Sequence, residues 1–456
     1  MSPRLLAYAA YLPAYVLPRS QIESALGIRA GNGVRSVAGY DEDAITMAVA
    51  ALRRLPESVR DTRRLFLATS APALLDKTNA AIVQAAAGGR ESALTADLVG
   101  LSSGFAALVC AQATAGVAAL GDVRTGRPGS RDESDGGDGA AAFAFGDGDD
   151  AVAEVLAVSS RALSLMDIWR GPGGTPAESA EERLVASVHS AAVAAVVEEV
   201  LDAAAMDDRP LRAVVAAPQR RLAITLSARW GREADVQVRH RENVGFCGAA
   251  DVGRLLAGAL DASATGDTIL LVSAASTVDA MLLRVLRDGH SDDGDRGART
   301  VGYPSFLTWR GWLDREPARR PEPPVPSAAA TYRGRAWKFG LTGSQCQRCA
   351  AVWLPPQRVC GVCCSAAFIR PYSVVDRPAR LSAVSTDGLA DTPAPPARVG
   401  VVDFEGGGRM TAEITDEPQD EPQVGDRVEM VFRRTQVRRG VPDYFWKARR
   451  LPGGER

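Results

Sequence analysis

Five cysteines crowd into nineteen residues of this chain: Cys346, Cys349, Cys360, Cys363 and Cys364. The spacing is C-x-x-C, ten residues, then C-x-x-C. Two such knuckles bring four thiolates around one ion, the tetrahedral arrangement of a structural metal site. Cys346, Cys349, Cys360 and Cys363 are the expected ligands. Soft sulfur donors suit zinc or iron, and zinc is the metal expected. Cys364 is the spare; the second knuckle could pair Cys360 with it, but Cys363 repeats the first spacing. Disulfides fit poorly, because a 456-residue chain with seven cysteines is no disulfide scaffold. A closed four-sulfur site has no open position for substrate, so the cluster marks a small module and says little about chemistry.

The length implies about two to four domains. Hydrophobic residues make up 46% and charged residues 24%, ordinary for a soluble globular protein. A net charge of −2 argues against a broad nucleic-acid footprint. Sparse cysteine fits a reducing cytoplasm. The apolar run from Leu5 to Leu12 has only Arg4 in front and is followed by Pro13 and Pro18, so it reads as a buried first strand rather than a secretory leader. No other apolar run looks long enough to span a membrane, and no membrane partner is expected.

Up to about residue 310, short β-rich runs alternate with alanine-rich helical stretches. Leu65–Thr69, Leu211–Ala216 and Thr268–Ser273 read as strands; Ala48–Leu55, Gly104–Leu120, Glu181–Ala205 and Val252–Leu260 read as helices. This alternation predicts an α/β architecture with helix-covered sheets. Gly121–Gly139 reads as a polar surface loop, and 287–299 as another. Five prolines between Arg315 and Ser327 mark a linker. After the cysteine module come short strands: Arg380–Ser385, Val399–Phe404, an alternation of Val428, Met430 and Phe432, and a closing strand from Asp443 to Arg449. They predict a small five-stranded barrel of the OB type. The domain expectation is 1–314, a linker 315–336, a ribbon 337–374 and a barrel 375–456. No internal repeat is evident.

The acidic run from Asp132 to Asp138 fails the EF-hand pattern, since counting twelve positions lands on Phe143 or Gly146 rather than glutamate. Gly137–Ala142 is not a dinucleotide fingerprint. Of the three histidines, His189 lies on the helix 181–205, His240 follows an expected strand Asp235–Val238, and His290 sits in a polar loop; each reads as surface or satisfied core. The suggestive segment is Asp97–Phe105. A strand runs into a corner, Ser102-Ser103-Gly104, and then into a long helix. A side chain there meets the electropositive helix N-terminus, where enzymes place nucleophiles. The plainer reading is that Ser102 or Ser103 caps the helix. Cys110, two turns in, should be a buried thiol.

These segments bring out two resemblances. Residues 1 to about 310 resemble the thiolase-like superfamily in its HMG-CoA-synthase-like branch, through Asp41–Met47, Phe66–Ser70, Asp97–Phe105, Gly137–Gly146 and Asp167–Arg170. Residues 337 to about 450 resemble the DUF35 module, a rubredoxin-like zinc ribbon followed by an OB fold. That likeness rests on the two knuckles around Leu354-Pro355-Pro356, on Val401–Arg409 and on Tyr444–Lys447. The first resemblance implies a five-layer αβαβα fold, a homodimer, and acyl-CoA or acyl-carrier thioesters as ligands. It also implies a cysteine, a histidine and an asparagine in the site. Here Ser102, Ala216 and Phe246 stand at those places, and Ser70 at that of the glutamate of HMG-CoA synthases.

An alcohol needs an adjacent base where a thiolate does not, and enolate chemistry needs oxyanion donors that alanine and phenylalanine lack. Two functions are therefore expected. One is an enzyme of acyl-thioester metabolism, in a specialised pathway, that transfers an acyl group or makes or breaks a C–C bond; Ser102 would carry the acyl group, or no covalent intermediate would form, as in cysteine-independent aldolases that work with DUF35 partners. The other is a non-catalytic acyl-binding scaffold for an intact thiolase-like or acyl-carrier partner. A third reading, a nucleic-acid binder using the ribbon and the OB fold, is opposed by the acidic balance and by the fusion to a thioester-binding fold, and nucleic acid is not an expected partner.

Overall fold

A computed structural model describes residues 3–171, 177–206, 210–291, 299–316, 327–416 and 421–451. The chain divides into two compact units: 1–38 with 43–310, and 39–42 with 311–456. Residues 317–326, which carry the five prolines of the expected linker, lie outside the described residues, as do 292–298 of the second polar loop.

The first unit is built on nine strands: β1 (Arg4–Tyr11), β2 (Arg64–Thr69), β3 (Leu94–Val99), β4 (Val117–Asp122), β5 (Gly139–Gly146), β6 (Ala153–Ala162), β7 (Arg212–Ala216), β8 (Thr268–Ala274) and β9 (Thr277–Val285). Their order is β7-β8-β9-β6-β1-β5-β4-β2-β3. The two halves meet at one residue pair, Leu5 with Ala153. The first half runs 3-2-4-5-1 in its own strand numbers, with its last strand antiparallel to its neighbours. The second half repeats that order but lacks the third strand; a single parallel bridge between Arg212 and Glu233 stands there. The chain is thus a duplicated topology, which the sequence conceals because the order repeats while the side chains do not.

The helices that matter here are α1 (Ala44–Arg53), α2 (Asn79–Ala86), α3 (Ser103–Thr114), α4 (Glu182–Ala203), α5 (Arg220–Trp230), α6 (Asp235–Asn243) and α7 (Asp251–Asp261). Helices α3 and α7 lie between the half-sheets; α1 and α2 cover one outer face, α4 and α5 the other. That makes five layers. Strand β8 shows how the sequence encodes them. Ile269 and Leu271 face the central core with Leu255 and Phe105, while Leu270 and Val272 face the outer core with Val196 and Val200. A strand apolar on both sides belongs between two helix layers. Helix α4 is long and apolar enough to cross a membrane by length and composition, contrary to the expectation from sequence. Its Val193, Val196, Val197 and Val200 stripe instead packs on the half-sheet.

The alanine-rich run after Gly104 is not one helix. Helix α3 ends at Thr114, Ala115 takes a left-handed φ of 50°, and Val117 begins a fully buried strand. Small residues satisfy both conformations, and burial on two faces decides for strand. Gly121–Gly139 is not a surface loop either. Arg124, Glu133 and Asp138 are buried there, and Asp138 pairs with Arg35 at 3.4 Å and with Arg310. Its charges read as solvated because their partners are far away in sequence.

In the second unit, a short helix α8 (Ala328–Arg333) lies in the last part of the expected linker 315–336, and α9 (Arg335–Gly340) runs from its end into the expected ribbon. Trp337 and Phe339 pack against Phe445 and Phe432. A three-stranded ribbon follows: β10 (Thr342–Cys346), β11 (Val352–Trp353) and β12 (Ile369–Ser373). A closed barrel completes the unit: β13 (Ala379–Asp387), β14 (Ala397–Phe404), β15 (Arg409–Thr415), β16 (Arg427–Arg438) and β17 (Val441–Arg450), in the order β13-β14-β15-β17-β16. Val428, Met430 and Phe432 point inward with Tyr444, Trp446 and Ala448, as alternation predicts.

Candidate functional site

The corner at Ser102 is made by three local facts. Asp97 on β3 accepts from the backbone N–H groups of Asn79 and Ala80, both at 2.7 Å, so this carboxylate caps α2 and is not free for chemistry. Gly100 takes φ +123°, a conformation that L side chains rarely adopt. Gly104 brings the first turn of α3 hard against the backbone of Ala249. Ser102 stands at the helix N-terminus, but its hydroxyl does not cap the helix. Its Oγ accepts the backbone N–H of Thr277 at 3.2 Å. Ser103 Oγ donates to the Gly100 carbonyl at 2.7 Å. Cys110 is half-buried rather than buried. Among the described residues no imidazole or carboxylate is hydrogen-bonded to Ser102, so nothing there activates its hydroxyl.

Ser70 and Phe246 belong to a buried polar frame. The Ser70 N–H donates to Asp122 Oδ2 at 3.0 Å, and Ser70 Oγ accepts from Arg124 at 3.3 Å. Asp122 also accepts the Ala249 N–H at 2.7 Å, and burial pushes its carboxyl above the usual range. Phe246 lies under two guanidiniums, Arg124 at 5.8 Å and Arg241 at 5.3 Å. Arg241 in turn holds the Ala217 carbonyl at 2.9 Å and Asp251 at 3.0 Å. An arginine–aromatic stack therefore fills the place where the resemblance sets an amide.

His240 is on helix α6, not after a strand. Its Nε2 lies 2.7 Å from Asp251, and with Cys247 the three polar side chains fall within 4.8 Å of one another. Burial raises the Cys247 thiol well above its ordinary value and lowers the His240 imidazole. All three residues are buried, and Arg241 holds the second oxygen of Asp251, so the group braces the loop before α7 and offers no accessible nucleophile.

His189, which reads from the sequence as surface or satisfied core, is core but not satisfied. It sits on the buried face of α4 between Val185 and Val193, only 1% exposed. Among the described residues its Nε2 has no hydrogen-bond partner, and it lies 3.7 Å from Asp167. Burial lowers its pKa, with Asp167 opposing. The only signal in the sequence was a histidine at a core position of an apolar helix.

In the ribbon, the four cysteine sulfurs converge. Cys346 Sγ lies 3.6 Å from Cys363 Sγ and Cys349 Sγ 3.5 Å from Cys360 Sγ, all four within 4.8 Å. A tetrahedral zinc site with bonds of about 2.3 Å has sulfurs about 3.8 Å apart, so the donor set and spacing fit. The N–H groups of Cys363 and Val362 hold the Cys360 thiol below its ordinary value, while the neighbouring sulfurs push Cys349 up, so the four thiols share their charge as one crowded set. Both knuckles close alike: the N–H of Ala350 reaches the Cys346 carbonyl at 2.8 Å, and that of Cys364 reaches Cys360 at 2.9 Å. Ala350 and Cys364 share a left-handed φ, 59° and 57°. Cys364 therefore fills the turn position after the second knuckle, with an exposed side chain.

This architecture has known counterparts. The first unit has the thiolase-like fold. An HMG-CoA synthase complexed with CoA superposes with a TM-score of 0.61 and 15% identity, covering 68% of this chain and 90% of that one. The 3-oxoacyl-(acyl carrier protein) synthase III of Pseudomonas aeruginosa superposes with a TM-score of 0.55 and 18% identity, covering 64% and 100%. The family described as ChsH2, C-terminal OB-fold domain, matches residues 371–433. A DUF35 domain-containing scaffold protein of Methanothermobacter thermautotrophicus is 33% identical over 130 residues, 26% of this chain and 91% of the relative. The chain belongs to the DUF35 domain family, and its first unit shares the thiolase-like fold.

Proposed function

We propose that this protein binds acyl thioesters of CoA or of an acyl carrier protein in its thiolase-like domain and processes them, by acyl transfer or by making or breaking a C–C bond, in a specialised pathway of the cytoplasm. The observation that carries the reading is the corner itself: a small polar side chain, Ser102, at the N-terminus of the central helix, facing a backbone N–H from Thr277. The fold it shares with proteins crystallised with CoA supports the ligand class. Among the described residues no base reaches Ser102, so chemistry without a covalent serine fits better than acyl-enzyme formation. The ribbon cysteines hold a structural zinc, which supplies folding energy to the ribbon and no reaction step.

The thiolase-like domain is proposed to form a homodimer through the free edge strand β3. Leu94 and Val99 there are each 61% exposed, and an uncovered apolar strand edge is a pairing surface.

A second reading is a non-catalytic scaffold that holds acyl groups for an active partner, and the relative named as a scaffold protein favours it. Incubating the zinc-loaded protein with a panel of acyl-CoAs and following the thioesters by mass spectrometry separates the two. New products mean an enzyme; unchanged thioesters that bind mean a scaffold.

A further inference from the structure

His189 is a buried imidazole whose Nε2 opens into a cavity. The Ala275 N–H is taken by the Thr277 carbonyl, so the backbone bond from His189 to Ala275 goes to the Ala275 carbonyl. A ring N–H donates it, and because Nε2 is unpartnered the donor is Nδ1. That fixes the tautomer and leaves Nε2 as a buried lone pair. Asp167 Oδ2, 3.7 Å away, is also an acceptor and too far for a hydrogen bond. Both groups line one cavity with Ile168, Val185, Pro218 and Gln219.

His189 is anchored at Ala275, and Ser102 Oγ is held by Thr277 two residues on, so one turn between β8 and β9 fixes both. What enters the cavity must bring a donor to Nε2, present apolar surface to Ile168, Val185 and Pro218, and carry no negative charge toward Asp167. A buried acceptor left without a donor is costly, and a site built around one discriminates against ligands that cannot supply it.

We propose that the His189–Asp167 cavity receives the acyl end of the thioester and selects a neutral, hydroxyl-bearing chain over a saturated or carboxylated one. The proposal rests on reading the first unit as a thioester site, and the test keeps the two apart. Calorimetry on the full zinc-loaded chain compares 3-hydroxybutyryl-CoA, butyryl-CoA and malonyl-CoA. The hydroxylated ligand is expected to bind at least about tenfold tighter than the saturated one, and malonyl-CoA weakest. His189→Ala should abolish the hydroxyl preference while butyryl-CoA still binds. Asp167→Asn should recover malonyl-CoA binding, and it serves as the second variant if His189→Ala fails to fold. Equal affinity for the three ligands would overturn the proposal alone, leaving a bridging water as the partner of Nε2. Failure of all three to bind would overturn the thioester reading with it.

Discussion

A methyl group placed on Gly104 would lie 1.9 Å from the Ala249 carbonyl oxygen. Helix α3 carries the Ser102 corner and Ala249 begins the approach to helix α7, so this contact sets how closely the two central helices approach. Gly104→Ala must push them apart. It should cost about 1–3 kcal/mol or more, read as a lowered denaturation midpoint with unchanged slope. A variant as stable as the parent would show that the helices are not held at this distance.

Ser102 tests the corner's chemistry. Ser102→Ala leaves the Thr277 N–H without its acceptor and should cost about 1 kcal/mol, with thioester binding retained. Ser102→Cys places a thiol at a helix N-terminus, where its pKa falls, and should gain an acyl adduct visible by intact mass. Loss of all turnover in Ser102→Ala, with an adduct on the parent, would instead make Ser102 a true nucleophile.

The metal prediction is about one zinc per chain by elemental analysis. Cys346→Ser should lose it, unfold the ribbon and leave the first unit folded. Cys364→Gly should keep the metal and stabilise the ribbon by about 1 kcal/mol, because glycine relieves the left-handed φ of 57°. Loss of zinc in Cys364→Gly would show that this cysteine is a ligand.

Much of this was legible in the sequence. The knuckle spacing gave the ribbon, and period-two alternation at Val428, Met430 and Phe432 gave the barrel wall. What stayed hidden depends on distant partners. Arg124 and Asp138 look like part of a solvated loop until Phe246, Arg35 and Arg310 are brought to them. The run after Gly104 hides a strand because alanine tolerates both conformations. His189 looked like a satisfied core residue, and only the cavity shows that its Nε2 is not satisfied.

Burial lowers the pKa of His189 and His240. The unfolded chain then binds more protons than the folded one below the ordinary histidine pKa of about 6.5, so stability should fall as pH drops through that value, by up to about 1.4 kcal/mol per pH unit for each proton. His189→Gln should flatten the slope measured by denaturant unfolding between about pH 6.5 and 5. An unchanged slope would mean that His189 is protonated in the folded protein.

Light scattering should give about 96 kDa, twice the 48.0 kDa of one chain, and Val99→Arg at the edge of β3 should shift it to a monomer. A parent that is monomeric at micromolar concentration would contradict the edge-strand dimer.

The central claim is that the thiolase-like domain holds acyl thioesters although Ser102, Ala216 and Phe246 stand where its resemblance sets cysteine, histidine and asparagine. Calorimetric titration of the full zinc-loaded chain with short-chain acyl-CoAs measures it directly. Saturable binding of about one thioester per chain, weakened by filling the corner with Ser102→Trp, is the predicted result. No heat of binding from any acyl-CoA or acyl carrier thioester up to millimolar concentration would contradict the account.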